Sequence, residues 1–191
     1  MELIMIRTLV TIILIFTASV SYAQKAPNNM HEFMGVIKGA VPGFARKPTY
    51  FKPKLAEKNV RYLYEKKGVR LVISLDHCSD VGKVIRKINE SLEEPIEHIC
   101  RKIRRSDKHY KRNIVLFEEI ASAIGRVNFY IHCRYGAHRA VTALTGAWIA
   151  RQRLSFEEAF GRTGGKKRAF RSKGQKELLN QARKYADSKK E

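Results

Sequence analysis

The order of apolar and polar segments predicts an α/β protein: one domain with a central, largely parallel sheet flanked by helices on both faces. Three observations lead there. Val69–Leu75 is a short, mostly apolar stretch with helix-like segments on either side. Val127–Tyr130 reads as a second short strand, and the apolar run Val141–Ala150 beyond it is long enough for a buried helix.

Taken in order, the chain opens on Met1–Ala23, where Arg7 precedes an apolar run from Leu9 to Val20. Ser21-Tyr22-Ala23 places small residues at the two positions a signal peptidase reads. The run is shorter than the about 20 apolar residues of a comfortable membrane span. The expectation is a secretory signal over residues 1–23, with an uncleaved anchor as the alternative. Residues 24–191 then form the single domain of a periplasmic or secreted protein. His31–Ile37 reads as its first strand, Gly39–Gly43 as a turn, and Pro48 and Pro53 keep the next stretch irregular. Leu55–Lys67 carries Leu55, Val60, Leu63 and Tyr64 at near-helical spacing and stops at Gly68. Asp80–Leu92 reads as a helix and Glu97–Ile103 as a weaker strand.

A helix from about Lys111 to Ile124 turns Ile114, Leu116, Phe117 and Ile120 inward. Trp148, Ile149 and Leu154 are expected in the core. Ser155–Glu158 is a capping box opening a short helix. Gly161–Lys173 is a basic loop interrupted by glycines, followed by a helix from about Gln175 to Tyr185 and a lysine-rich tail expected to fray.

The charge is lopsided: 38 Lys+Arg against 18 Asp+Glu give a formal +20. Such a field draws in polyanions, from inositol phosphates and anionic lipid headgroups to lipopolysaccharide and nucleic acid. The export signal and the lack of a nucleic-acid motif disfavour the last. Peripheral contact with an anionic membrane surface fits the same charge. No Cys/His spacing suits zinc, and the glycines near Lys166 lack the spacing of a nucleotide-cradling loop, so no metal or cofactor is expected. Oligomeric state leaves no trace in the pattern.

The chemistry concentrates in Ile131–Ala140. Cys133 stands at the end of a strand, a short loop curls past Gly136, and Arg139 opens a helix. Backbone N–H groups of Arg134, Tyr135, Gly136, Ala137, His138 and Arg139 converge there with the positive end of the helix dipole. Arg139 adds a bidentate clamp, and the whole suits a dianionic phosphate. The same field favours a thiolate over a thiol. One loop can therefore bind a phosphate and attack it.

These residues resemble the signature loop of the cysteine-dependent phosphatases, the protein-tyrosine and dual-specificity superfamily, in an exported, bacterial-type member. Its pattern is His-Cys, two residues, Gly, two residues, Arg, then Ser or Thr. His132, Cys133, Gly136 and Arg139 match it, and Ala140 does not. The resemblance implies the dual-specificity phosphatase fold over roughly Phe33 to Tyr185, with the active site at the C-terminal ends of the strands. It implies that Cys133 attacks phosphorus and that Arg139 and the loop amides hold the equatorial oxygens. His132 orients the loop, and Arg134 and His138 add basic groups to it. The position of a general acid falls on Asp107, one acid among seven basic residues of Arg101–Arg112, with Asp76 and Asp80 as competitors. Three cysteines leave an odd one. Relatives that shield their nucleophile by a disulfide from the site rim imply Cys78 as redox partner of Cys133; Cys78–Cys100 is the structural alternative. Expected substrates are phosphoproteins, phosphoinositides, inositol phosphates or sugar phosphates, with polyanionic ones favoured. Two rival readings are a catalytically weak polyanion-binding protein, for which Ala140 speaks, and an RNA-directed phosphatase, for which the charge speaks.

Overall fold

A computed structural model describes residues 26–43, 50–166 and 172–190. The expected signal segment, Pro48 and Lys167–Arg171 of the basic loop lie outside the described residues. His31–Phe33 (β1) and Val36–Ala40 (β2) pair antiparallel. The single strand expected over His31–Ile37 is thus a hairpin. Met34 and Gly35 both take left-handed φ, 50° and 73°, the mirror-image two-residue turn whose twist matches the strands it joins.

Helix α1 runs Pro53–Lys67 and ends on Gly68 at φ 62°. Pro53 therefore opens the helix instead of breaking the chain before it, because the first helical position has no N–H to lose. Next come β3 (Leu71–Ser74), α2 (Cys78–Asn89), β4 (Glu97–Cys100) and α3 (Tyr110–Ala123). The chain closes with β5 (Phe129–Cys133), α4 (Arg139–Gln152), α5 (Phe156–Arg162) and α6 (Lys173–Asp187). The expected capping box is in place at Ser155, and a second one, not foreseen, opens α6 at Ser172. The tail expected to fray stays helical through Asp187.

The five strands lie in the order β1-β2-β5-β3-β4, and all but the edge strand β1 are parallel. This is the expected α/β architecture. Side chains alternate across each strand, so the sheet has two apolar faces. One buries Ile37, Val72 and Tyr130 with Val60, Leu63 and Ile85 of α1 and α2. The other buries Phe129, Ile131 and Ile73 with Phe117, Leu144, Trp148 and Tyr185 of the remaining helices. Each large, fully buried side chain stabilises the fold by roughly 2–3 kcal/mol. Helices α3 and α4 pack closely at Gly146, where a β-carbon would lie 2.3 Å from the Phe117 ring. That contact packs α4 on α3, and α4 follows β5 after a five-residue loop, so its N-terminus stands near the end of that strand.

Candidate active site

Register puts the C-terminal ends of the parallel strands in a row: Ala40 faces Cys133, and Ser74 faces both His132 and Cys100. Cys133 ends the central strand, is 2% exposed, and is a free thiol. The chain then turns, with Gly136 N–H donating to the Cys133 carbonyl at 3.3 Å, and enters α4 at Arg139. Gly136 has φ 66°, and a β-carbon on it would stand 2.2 Å from the Gly39 carbonyl carbon. Only glycine satisfies both the left-handed backbone and this close approach. The loop thus rests on the backbone of β2. Asn29 ties down its crest, donating from Nδ2 to the Tyr135 carbonyl at 2.8 Å. No side chain caps α4 and no acid stands in its first turn, which leaves its N–H groups facing the loop.

Arg139 donates from Nη1 to the Leu75 carbonyl at 3.2 Å and from Nη2 to Asp76 Oδ2. The end of β3 therefore holds the guanidinium in place beside the loop. Burial alone raises the Asp76 carboxyl, but the charge and hydrogen bond of Arg139, with His77 behind them, outweigh it and hold the pKa below the usual range. Asp76, a competing acid by sequence, is the ionised partner of the arginine and carries no proton to donate. Asp80 is paired with His77 at 3.2 Å. Asp107 opens a short helical turn, Asp107–His109, directly before α3, and its side chain lies outside the described residues.

His132 is wholly buried beside Cys133 on the opposite face of β5. Its Nε2 lies 2.7 Å from Ser74 Oγ, which lies 2.8 Å from His98 Nε2. The hydroxyl has one proton, so it donates to one ring and accepts from the other. Nδ1 of His132 is buried without a partner among the described residues. Donation from His132 Nε2 through Ser74 to His98 leaves a bare lone pair there, which costs less than an orphaned N–H. Burial first, then the charge of His98, depresses the His132 pKa to about 3. His132 is a neutral strut.

The three cysteines do not pair as the resemblance implied. Cys78 is bonded to Cys100, at a Cα separation of 5.5 Å, and cannot serve as redox partner of Cys133 in this state. Alternation is the reason. Cys100 shares a face with Ser74 and His132, where the first turn of α2 brings Cys78 over it, while Cys133 shares a face with Ile131 and α4.

No family model matches the chain, and no curated protein matches its sequence. Solved structures do match. Kinase associated phosphatase (KAP), solved with its catalytic-site cysteine replaced by serine, superposes at TM-score 0.58 and 15% identity over 86% of this chain and 97% of that one. PTP-2 phosphatase of Cydia pomonella gives 0.55 and 18% over 80% and 88%, and PTPMT1 gives 0.54 and 16% over 83% and 97%. The fold is that of the dual-specificity phosphatases.

Within that fold the loop residues named from sequence, 132 to 139, lie together at the strand ends. Lys166 joins them, bordering with Ala137 a cavity of about 320 Å3. Sequence reasoning missed Asn29, Gly39, Ser74 and His98, and saw Asp76 only as a rival acid. Asp76 had a readable signal, an acid placed directly after the clearest strand. Ser74 and His98 had none, since only the register of β3 between β4 and β5 assembles them.

Proposed function

We propose that this chain is an exported cysteine-dependent phosphatase that hydrolyses phosphomonoesters through a phosphocysteine intermediate. The observation that carries the reading is Cys133 at the end of the central strand, under a glycine-permitted loop that runs into the open N-terminus of α4. Loop amides and the helix dipole bind the phosphoryl oxygens, and Arg139 swings part of its guanidinium from Asp76 onto them. Cys133 sulfur attacks phosphorus while the ester oxygen leaves with a proton from Asp107; water then releases phosphate and returns the electron pair to sulfur. Asp76 is set aside as the acid because its charge is held by Arg139.

Substrates bearing several negative charges suit the formal +20 and the basic Arg134 and Lys166 near the loop. A solved structure of PTPMT1 is in complex with PI(5)P, which supports anionic phosphorylated substrates. Phosphate release from para-nitrophenyl phosphate tests the reading. Wild type is expected to turn over and Cys133→Ser to lose turnover while still binding tungstate. Full activity in Cys133→Ser overturns it. The binding-only reading rests on Ala140, whose buried methyl stands where a hydroxyl is expected; tungstate binding without any wild-type turnover would favour it.

A further inference from the structure

β2 carries a cation that the mechanism above leaves unused. Lys38 is 5% exposed in the middle of the sheet, and its ammonium reaches the Asn29 carbonyl only at 3.5 Å. Burying an ammonium without an anion is costly. No residue lining the cavity at its tip is acidic: the wall is Ala137 of the loop, Val141 of α4, His31 and Lys166. The register supplies the anion. Lys38 stands opposite Ile131 and Ala40 opposite Cys133, so Lys38 and Cys133 share one face of adjacent strands as diagonal neighbours. Same-face diagonal neighbours on adjacent strands lie within reach of a long side chain such as lysine. The electrostatics agree with this placement. Burial lowers the Lys38 pKa, and the charge of Cys133 pushes it back up.

We propose that Lys38 is the counter-ion of the Cys133 thiolate, a positioning residue that supports the sulfur's negative charge from beneath the loop in place of the hydroxyl that Ala140 lacks. Ala140 is fully buried at the first turn of α4, and its methyl offers no hydrogen-bond donor. When the S–P bond of the phosphoenzyme breaks, its electron pair returns to sulfur, and a buried ammonium on the same face of the sheet favours that charge without moving a proton. Other groups lie nearby: Arg139 opens α4 beside the loop, His31 and Lys166 line the cavity that Lys38 also lines, and Tyr130 stands on the opposite face of β5. Among the described lysines and arginines, Lys38 is the one buried in the sheet. Lys38 also fixes the loop through Asn29, whose carbonyl it approaches and whose amide holds Tyr135.

The role of Lys38 in turnover rests on the phosphatase reading, but its effect on sulfur does not, so the decisive readout is thiol chemistry. Iodoacetamide alkylation of Cys133 is followed by mass spectrometry from pH 5 to 9; the other two cysteines are bonded to each other. Lys38→Met is expected to move the midpoint of the rate profile up by about one pH unit and to slow alkylation about tenfold on the acid side. Lys38→Arg keeps the charge and is expected to retain the wild-type midpoint, which a merely structural role does not predict. Ala140→Ser in the Lys38→Met protein is expected to restore part of the shift. A folded Lys38→Met protein with the wild-type profile overturns the proposal. If Lys38→Met does not fold, the same question is put to wild type and Cys133→Ser by NMR titration of the Lys38 side chain. The lysine must then deprotonate at lower pH once the thiolate is gone, and an unchanged titration overturns the proposal. Absence of phosphate release in wild type, with the alkylation shift intact, sinks the phosphatase reading alone.

Discussion

His132 and Cys133 are neighbours in the chain and stand on opposite faces of β5, and the two faces are built differently. The face under α1 and α2 is closed and neutral. Tyr130 donates to the Ala40 carbonyl at 2.6 Å, His132 and His98 share Ser74, and the Cys78–Cys100 bond staples α2 to β4. The face under α4 holds the reactive groups, with the Lys38 ammonium and Cys133 buried next to an uncapped helix end. Alternation along one strand thus separates support from chemistry at no cost in chain length. A residue's chemical character here follows from its side of the sheet more than from its place in the loop.

The comparison breaks most visibly at Arg139, a loop residue tied to the end of β3 through Leu75 and Asp76. Arg139→Lys is expected to lower kcat/KM for para-nitrophenyl phosphate by about 10²–10³-fold, because lysine loses the fork that holds two oxygens. An effect under threefold would mean that the guanidinium does not reach the phosphate.

The closed face should fail in acid. His132 has a folded pKa of about 3 against an ordinary 6.5. The unfolded chain therefore takes the proton first, so stability that is complete above pH 6.5 drains away as pH falls toward 3. The full loss from this group is on the order of 4–5 kcal/mol. Urea unfolding of wild type and His132→Asn at pH 7, 5 and 4 measures it, and parallel losses in the two proteins would remove His132 as the cause.

Smaller is the staple. Removing Cys78–Cys100, at a sequence separation of 22, is expected to cost about 3 kcal/mol of stability through the freedom regained by the unfolded chain. Because the bond lies on the closed face, the Cys78→Ala/Cys100→Ala protein should keep most of its activity at 25 °C. Peptide mapping that finds Cys78 joined to Cys133 in oxidised protein would undo the separation of faces.

The smallest expected effect is at Ala140. Ala140→Ser adds a donor beside the leaving sulfur and is expected to raise steady turnover roughly two- to tenfold with the burst of leaving group unchanged. Lys38 already supports the thiolate, which keeps the gain modest. A hundredfold gain would mean that nothing in the native site replaces the hydroxyl.

Local pattern alone determined the elements that carry their own signals. Val69–Leu75 reads as a strand by composition, Gly68 and Ser155 mark helix ends by the backbone each accepts, and His132, Cys133, Gly136 and Arg139 mark the phosphate loop by spacing. Those signals span a few residues, so they survive without knowledge of neighbours. The partners of the loop do not. Lys38 is a lysine in a short strand, Ser74 a serine at the end of another, and Asp76 an acid in a turn, until β5 slots between β2 and β3 and sets them opposite Ile131, His132 and Arg139. The cysteine pairing was decided in the same way, by which face each thiol takes once the register is fixed. Sheet register is a long-range property with a period of two, and a shift of one residue reverses every such assignment.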